Sequence, residues 1–205
     1  MSHLIIIAGP QSSGKTTVFN YLRDRLKDFL FVEEINPYKV KKSSHPKYIS
    51  PSGKFQEELS LMTLKKIKSL TAKKNYIFET GPMQIAYVEK YSGLKVASLY
   101  FKKYLKILKS FNPTIIFIDS KPEVSFKRRR KKYLERIKEY HLEDKREEIL
   151  NEYKQKIIDL YPLWNKWFNK YPYKKIVIKN FNKTKRRFIN EVSEIILSLL
   201  SPTSP

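Results

Sequence analysis

The apolar residues of this chain fall into short uninterrupted runs and longer spaced patterns. The short runs are rich in β-branched residues, which predicts strands buried on both faces of a parallel sheet. Five segments have this character: Leu4–Ala8, Phe29–Val32, Tyr76–Phe78, Thr114–Ile118 and Lys175–Ile178. We therefore predict five strands, distributed from one end of the chain to the other.

The spaced patterns place apolar residues three and four positions apart, which predicts helices between the strands. The predicted helices cover Val18–Leu26, Phe55–Leu70, Met83–Tyr91, Leu94–Phe111, Glu123–Tyr140, Ile149–Phe168 and Phe188–Leu200. A bend is expected at Pro162, inside the sixth of these helices. Strands that alternate with helices predict an α/β fold whose parallel sheet is covered on both sides.

No internal repeat or linker divides this pattern. We therefore expect a single domain over residues 1–200, and a disordered tail at residues 201–205. In parallel sheets of this kind, ligand-binding groups gather at the carboxyl ends of the strands. Functional residues are therefore expected directly after the predicted strands.

Glycine is scarce, yet two of the five glycines lie within the eight residues that follow the first predicted strand. This segment, Gly9-Pro10-Gln11-Ser12-Ser13-Gly14-Lys15-Thr16, fits the pattern G-x-x-x-x-G-K-[ST]. It lies between a strand and a helix, where backbone amides and the helix N-terminus together attract phosphate. The sequence therefore predicts a P-loop that binds a nucleoside triphosphate.

The side chains of the predicted P-loop have separate expected roles. Lys15 would reach the β- and γ-phosphates, the Thr16 hydroxyl would ligate Mg²⁺, and Thr17 would hydrogen-bond the α-phosphate. Within this segment, the residues predicted to contact the triphosphate are Gly9, Ser12, Ser13, Gly14, Lys15, Thr16 and Thr17.

The composition helps to predict the binding partners and the cellular compartment of the protein. The 42 Lys and Arg residues against 20 Asp and Glu give a net charge of +22, which favours nucleotides or nucleic acids as partners. A lysine-rich composition inherited from the source genome explains the charge equally well.

The absence of cysteine excludes a disulfide framework and thiolate metal sites. No segment approaches the ~20 apolar residues of a membrane span, so we expect a soluble, cytoplasmic protein without a membrane partner.

The P-loop alone does not distinguish kinases from GTPases, motor ATPases and helicases. A GTPase would be expected to carry an Asn-Lys-x-Asp segment, and none is present. Large ATPases usually end a strand with an Asp that holds magnesium through water, whereas here the third strand ends at Glu79 and is followed by Thr80 and Gly81. The small nucleoside and nucleotide kinases remain.

Beyond the P-loop, five segments carry a family resemblance: Glu33-Glu34-Ile35-Asn36-Pro37-Tyr38, Phe55-Gln56, Glu79, Pro122-Glu123 and Arg128-Arg129-Arg130. With these segments, the sequence over about residues 4–200 resembles the deoxynucleoside kinases and, slightly less closely, the thymidylate kinases. The resemblance implies a three-layer P-loop kinase fold with sheet order 2-3-1-4-5 and a basic helical lid at about residues 122–146. It also implies that ATP, or another nucleoside triphosphate, and Mg²⁺ serve transfer of the γ-phosphoryl group to a nucleoside or similar small hydroxyl acceptor.

Three acidic residues are implicated by the resemblance. A carboxylate after the second strand would orient the acceptor hydroxyl and take its proton. The spacing leaves both Glu33 and Glu34 open for this role, and Glu33 is preferred as the first to leave the strand. Glu79 would hold a magnesium-bound water or the acceptor.

Further positions follow from the same resemblance. Gln56 would read a base edge, while Phe55 would stack on the acceptor or pack in the core. Residues 127–138 hold eight basic residues against one Glu, and arginines there would clamp the charge that develops on the transferred group. Arg128 best fits the catalytic position and Arg130 is a further candidate for the nucleotide, with Arg129 and Arg136 as alternates.

One departure from the family leaves the acceptor open. The deoxynucleoside kinases usually follow the third-strand acidic residue with an Arg that contacts both the base Glu and the substrate, whereas here Thr80 follows Glu79. The alternatives are a nucleoside-monophosphate kinase, and a nucleic-acid-binding NTPase or polynucleotide kinase. Dimers are common in the family, so a homodimer is also open.

Overall fold

The five predicted strands form a single sheet. In the computed structural model, which describes residues 3–35, 52–181 and 183–200, neighbouring strands run parallel in the order β2-β3-β1-β4-β5. The strands are β1 Leu4–Ala8, β2 Phe29–Val32, β3 Asn75–Glu79, β4 Thr114–Asp119 and β5 Lys174–Lys179. The predicted α/β fold and the implied strand order are confirmed. The Asn36-Pro37-Tyr38 segment and the predicted tail at residues 201–205 lie outside the described residues.

Six helices connect and cover the described strands. They are α1 Lys15–Arg23, α2 Gly53–Lys68, α3 Ile85–Leu108, α4 Pro122–Glu139, α5 Arg146–Lys170 and α6 Lys185–Leu200. Short 3-10 turns at Gly81–Gln84 and Glu143–Lys145 precede α3 and α5. None of the helices within these described ranges combines the length and apolar character that crossing a membrane requires.

One glycine and one proline, both residues that disfavour helix interiors, lie within the helices of the structure. The two helices predicted before β4 form the single element α3, which is interrupted by Gly93 at φ 86° and ψ 166°. Pro162 lies inside α5, which continues beyond it to Lys170. The glycine therefore breaks the helical geometry where the sequence placed a boundary.

The register of the sheet brings the carboxyl ends of the strands to one edge. Ile7 of β1 lies beside Glu79 of β3, and Ala8 lies beside Phe117 of β4. The residues that follow β1, β3 and β4 are therefore neighbours, as expected for a parallel sheet. This register positions the P-loop next to Glu79.

Alternate strand residues face two separate hydrophobic layers. On one face, Ile6, Phe78 and Phe117 pack with α2, α3 and α5, whose buried contributions include both tryptophans of the chain. On the other face, Ile5 and Ile116 pack against α1 and α6. The period of two along each strand thus fixes which helices lie above the sheet and which lie below it.

A third, smaller cluster joins α4 to the first half of α5. Its centre is the pair Tyr133 and Tyr153, whose rings stack with their centroids 3.9 Å apart. This helical pair covers the region in which the sequence predicts a basic lid. Because α4 leaves β4 at the carboxyl edge of the sheet, the pair stands beside the P-loop.

Candidate active site

The two glycines of the P-loop occupy positions that a side chain could not share. Gly9 has φ 145°, and a Cβ atom there would lie 2.3 Å from the carbonyl oxygen of Ile118. Gly14 has φ 107°, and a Cβ atom there would lie 2.7 Å from the ring of Phe188. The loop can therefore approach β4 and α6 closely only because both residues lack a side chain.

Lys15 begins α1 and turns back over the loop that precedes it. Its Nζ atom donates hydrogen bonds to the carbonyl oxygens of Gly9 at 2.8 Å and Pro10 at 2.9 Å. Burial lowers the pKa of the Lys15 amine, while the carboxylates of Glu34 and Glu79 oppose that shift. The amine is thus held inside the loop, next to two carboxylates that favour its charged form.

Thr16 and Glu79 meet across the end of the sheet. The Thr16 hydroxyl donates to Oε1 of Glu79 at 2.5 Å, and Glu79 is 6% exposed. Burial raises the pKa of Glu79 and the nearby charge of Glu34 adds to the shift, whereas the hydrogen bond from Thr16 and the charge of Lys15 oppose it. The strand register explains the contact, because Glu79 lies beside Ile7, two residues before the P-loop.

The pair Thr16 and Glu79 fits a magnesium ion of the kind that nucleotides carry. Mg²⁺ prefers hard oxygen ligands and usually takes most of them from phosphate and water, with only one or two from protein. Among the described residues, no group of three or more His, Cys, Asp or Glu side chains could hold a metal by itself. A hydroxyl and a carboxylate at the P-loop are therefore compatible with Mg²⁺ bound together with phosphate.

Glu33 and Glu34 point to different surroundings. Glu33 forms an exposed ion pair with Arg23, 2.8 Å between Oε1 and the guanidinium. Glu34 instead accepts hydrogen bonds from the Thr80 hydroxyl at 3.0 Å and from Nε2 of Gln84 at 3.2 Å. The structure therefore brings Glu34 to the side of Lys15 and Glu79, whereas the sequence favours Glu33.

Thr80 stands where the resemblance implies an arginine. Its backbone has φ 61° and ψ −58°, outside the conformations that a threonine usually adopts, and its amide donates to the carbonyl oxygen of Ile7 at 2.8 Å. This conformation aims the hydroxyl at Glu34. A neutral hydroxyl thus makes the contact to the carboxylate that the family resemblance assigns to a cation.

Aromatic residues form the wall opposite these carboxylates. Tyr87 of α3 packs edge-on against Trp164 of α5, with ring centroids 5.9 Å apart, and Nζ of Lys15 lies 5.7 Å from the Trp164 ring. The side chain of Gln11 lies beside Tyr87 and accepts from the Tyr133 hydroxyl at 3.4 Å. Burial and the charge of Glu34 raise the pKa of Tyr87. The P-loop, α3, α4 and α5 therefore meet at one cleft.

The arginines predicted to act from the lid take three different positions. Arg128 donates to the carbonyl oxygen of Ser12 at 3.3 Å and to the backbone and side-chain oxygens of Asn180 at 3.1 and 3.2 Å. Arg129 faces inward, because its charge acts on Lys15 and its Nε atom is buried without a hydrogen-bond partner among the described residues. Arg130 is exposed. The structure thus brings Arg128 to the P-loop and Arg129 to the cleft.

Other predicted residues have simpler surroundings. Ser13 is buried beneath the loop, where its carbonyl oxygen accepts from Nδ2 of Asn180 at 2.7 Å. Thr17 lines an open cavity of about 360 Å³ between α1 and α6. Phe55 and Gln56 are buried on the first turn of α2, 4% and 6% exposed, and their contact with an acceptor stays a prediction.

Sequence reasoning missed several residues that the structure brings to this cleft. Asn180 directly follows β5, so the rule that ligand groups follow strands could have identified it. Tyr87 and Gln84 carry no such signal, because helical spacing alone does not tell which residues reach a cleft. Arg129 is already among the alternates for the lid arginines. Gln11 occupies a variable position of the P-loop pattern, and the pattern assigns it no role.

Comparison with known proteins gives one family and one fold. Residues 5–197 match the family model described as deoxynucleoside kinase. Among solved structures, the chain is similar to the YorR protein of Bacillus subtilis, solved in complex with phosphorylated GDP, at 17% sequence identity and a TM-score of 0.59. That alignment covers 96% of this chain and 95% of the other, and at this identity it supports the fold alone. No match was found among the curated proteins.

Proposed function

The chain belongs to the deoxynucleoside kinase family, and from this premise we propose that it transfers the γ-phosphoryl group of ATP to the hydroxyl of a nucleoside-like acceptor. One observation carries the proposal. The P-loop amine of Lys15, the pair Thr16 and Glu79, and the hydrogen-bonded carboxylate of Glu34 converge at the carboxyl edge of the sheet. These are the groups that phosphoryl transfer to a hydroxyl needs: a phosphate cradle, a metal position and a base.

The P-loop holds the donor phosphates in this proposal. The backbone amides from Gly9 to Gly14 and the N-terminus of α1 face the β-phosphate, and Lys15 exchanges its contacts with loop carbonyl oxygens for phosphate oxygens. The cavity beside Thr17, between α1 and α6, is open to the rest of the nucleotide.

Thr16 and Glu79 would hold the magnesium ion that accompanies the nucleotide. When bound, the ion neutralises charge on the β- and γ-phosphate oxygens. Glu79 also orients the Thr16 hydroxyl, because its carboxylate accepts a hydrogen bond from that hydroxyl at 2.5 Å. Because Glu79 is buried, this orientation is kept without competition from bulk water.

Glu34 acts as the base in the transfer step. The acceptor oxygen forms a bond to the γ-phosphorus while the bond from that phosphorus to the bridging oxygen of ADP breaks. The proton of the acceptor hydroxyl passes to Glu34, and the electron pair of the broken bond leaves with ADP. Thr80 and Gln84 each donate to Glu34, so its carboxylate is held in one orientation towards the cleft.

Arg128 and Arg129 stabilise the charge of the transferred group in this proposal. Arg128 already contacts the carbonyl oxygen of Ser12 in the P-loop, and Arg129 lies close enough to influence Lys15. Fixed cations at the phosphoryl group lower the barrier because negative charge spreads over its oxygens in the transition state. The contact between α4 and the P-loop supports a role for this helix as the lid.

The test is ADP formation by the full chain with Mg-ATP and a panel of acceptors. The panel contains deoxynucleosides, their monophosphates and short 5′-hydroxyl oligonucleotides, with the phosphorylated product identified by mass. We expect acceptor-dependent ADP formation, and we expect Lys15→Ala to lower kcat by about 10²-fold or more. Lys27→Ala, which removes an exposed lysine shortly after α1, is the matched control and keeps wild-type turnover. Equal turnover by wild type and Lys15→Ala with every acceptor would contradict the proposal.

A further inference from the structure

Asn180, the residue directly after β5, connects three elements of the candidate active site. It is 4% exposed, and its backbone amide donates to the carbonyl oxygen of Asp119 at 2.8 Å, which extends the pairing of β5 with β4 by one residue. The side-chain amide takes no part in this pairing. Its nitrogen instead contacts the P-loop, and its oxygen contacts Arg128 of α4.

The nitrogen of this side chain fixes one peptide group of the P-loop. Nδ2 of Asn180 donates to the carbonyl oxygen of Ser13 at 2.7 Å. In a trans peptide the C=O and the following N–H point in opposite directions, so this hydrogen bond directs the N–H of Gly14 away from Asn180. The amides of the loop are the groups that hold the donor phosphates in the proposed function. Asn180 therefore orients one of these amides from the far side of its peptide.

The close approach of Asn180 to the loop depends on Gly14. A Cβ atom at Gly14 would lie 3.1 Å from Nδ2 of Asn180 and 2.7 Å from the Phe188 ring. Ser13 and Asn180 are both buried, so bulk water does not compete for the hydrogen bond between them. The loop is therefore held by a single side chain that the glycine admits.

The oxygen atoms of Asn180 hold Arg128 beside the same loop. Nη2 of Arg128 donates to the backbone oxygen of Asn180 at 3.1 Å and to its Oδ1 atom at 3.2 Å, while Nη1 donates to the carbonyl oxygen of Ser12 at 3.3 Å. A guanidinium has five N–H donors, so these contacts position Arg128 without using its whole donor capacity. One amide side chain thus supplies both the donor for Ser13 and an acceptor for Arg128.

From these contacts we infer that Asn180 is a positioning residue for phosphoryl transfer, which orients the P-loop for the donor phosphates and holds Arg128 against that loop. The inference rests on the proposed function, because it concerns the same phosphate site. A loop that is oriented in advance loses less conformational freedom when the nucleotide binds. An arginine held in place acts on the transferred group during the reaction itself. The two contacts of Asn180 should therefore affect two different steps.

The first test measures binding of Mg-ADP to the full chain by calorimetry, which requires no acceptor. Asn180→Ala is expected to raise Kd about tenfold, because the Ser13 carbonyl loses its hydrogen bond and the loop is ordered only when the nucleotide binds. Asn190→Ala removes an exposed asparagine of α6 and serves as the control. A folded Asn180→Ala with a Kd within twofold of the wild type would overturn the inference, since a purely structural role lowers only the resistance to urea.

The orientation of the loop can also be observed without nucleotide. Labelling with ¹⁵N-glycine gives one backbone amide signal for each of the five glycines. In Asn180→Ala the Gly14 signal is expected to shift or broaden and to recover on saturation with Mg-ADP, while the Gly93 signal stays in place. A Gly14 signal identical to that of the wild type would contradict the role of Asn180 in the loop.

The second test separates the contact with Arg128 from the contact with the loop. At saturating Mg-ATP, Asn180→Ala is expected to lower kcat about tenfold. Asn180→Asp has the same shape and keeps the oxygen that Arg128 contacts but lacks the donor for Ser13, so it should keep kcat within about threefold while KM for Mg-ATP rises about tenfold. An equal loss of kcat in the two variants would overturn the part of the inference that concerns Arg128.

A double-mutant cycle completes this test. In an Arg128→Ala background, Asn180→Ala should lower kcat further by less than about twofold, yet still raise KM for Mg-ATP about tenfold, because residues that act through one another are not additive. Fully additive losses of kcat would show that Asn180 does not act through Arg128.

Failure of the two proposals gives different results. If no acceptor supports ADP formation, the proposed function is contradicted. Binding of Mg-ADP and the Gly14 signal then still decide whether Asn180 orients the P-loop: a raised Kd with a shifted signal in Asn180→Ala supports the inference, and an unchanged Kd overturns it.

Discussion

At the scale of single residues, neighbouring positions in the sequence take unrelated roles. Glu33 pairs with Arg23 at the surface, while Glu34 is held by Thr80 and Gln84 inside the cleft. The difference comes from the direction in which each side chain leaves the chain after β2. A carboxylate with two fixed donors is pre-oriented for a reacting group, whereas an exposed ion pair contributes little to either stability or chemistry.

Exchanging these two carboxylates for amides separates their roles. Glu34→Gln is expected to lower kcat by about 10²- to 10⁴-fold, because the amide cannot take the acceptor proton. Glu33→Gln is expected to keep kcat within about twofold, since the lost ion pair is exposed. Steady-state kinetics on the best acceptor of the panel provides the measurement. A larger loss in Glu33→Gln than in Glu34→Gln would reverse the assignment of the base.

At the scale of elements, the ends of helices and strands determine where chemistry can occur. The carboxyl ends of β1 and β3 bring the P-loop to Glu79, and α4 leaves β4 at the same edge. Helix α3 contributes Tyr87 to the cleft, and Gly93 interrupts the same helix six residues later. The cleft is therefore lined by the ends of strands and helices on one side and by helix faces on the other.

The interruption at Gly93 has an expected effect on stability. Its φ of 86° and ψ of 166° are accessible to glycine but strained for other residues, and a Cβ atom there would meet nothing within 4 Å. Gly93→Ala should therefore lower the free energy of unfolding by about 1–3 kcal/mol through backbone strain alone. Urea denaturation compares it with Lys95→Ala, an exposed change two residues later on the same helix. Unchanged stability of Gly93→Ala would mean that α3 can straighten without cost.

At the scale of the whole molecule, charge is the dominant feature. A net charge of +22 on 205 residues creates repulsion within the folded chain and attraction for anions around it. Binding of nucleic acid through the general surface charge stays a prediction.

The charge predicts that salt stabilises the fold. Screening shortens the range of repulsion from about 30 Å at 0.01 M to about 10 Å at 0.1 M ionic strength. The melting temperature should therefore rise when sodium chloride is raised across this interval, as measured by thermal unfolding. Lys15→Ala should show the same rise, which separates general screening from anion binding at the P-loop. A melting temperature that falls with salt would mean that attractive ion pairs outweigh the repulsion.

The sequence alone was sufficient to predict the features that arise from contiguous residues. The apolar runs and their spacing predicted all five strands of the sheet, and the segment Gly9–Thr16 predicted the P-loop, since each signal lies within one stretch of chain. The parallel topology then placed Glu79 beside that loop. These features follow from periodicity, turn chemistry and handedness, which act over short distances along the chain.

Only the tertiary structure decided which side chains share the cleft. Glu34 differs from Glu33 only in side-chain direction. The contacts of Thr80 with Glu34 and of Arg128 with the P-loop join residues that are distant in sequence. Such choices depend on how helices rotate against the sheet when the two hydrophobic layers pack. No periodic pattern encodes that rotation, because a helix face is defined by the partner it buries against.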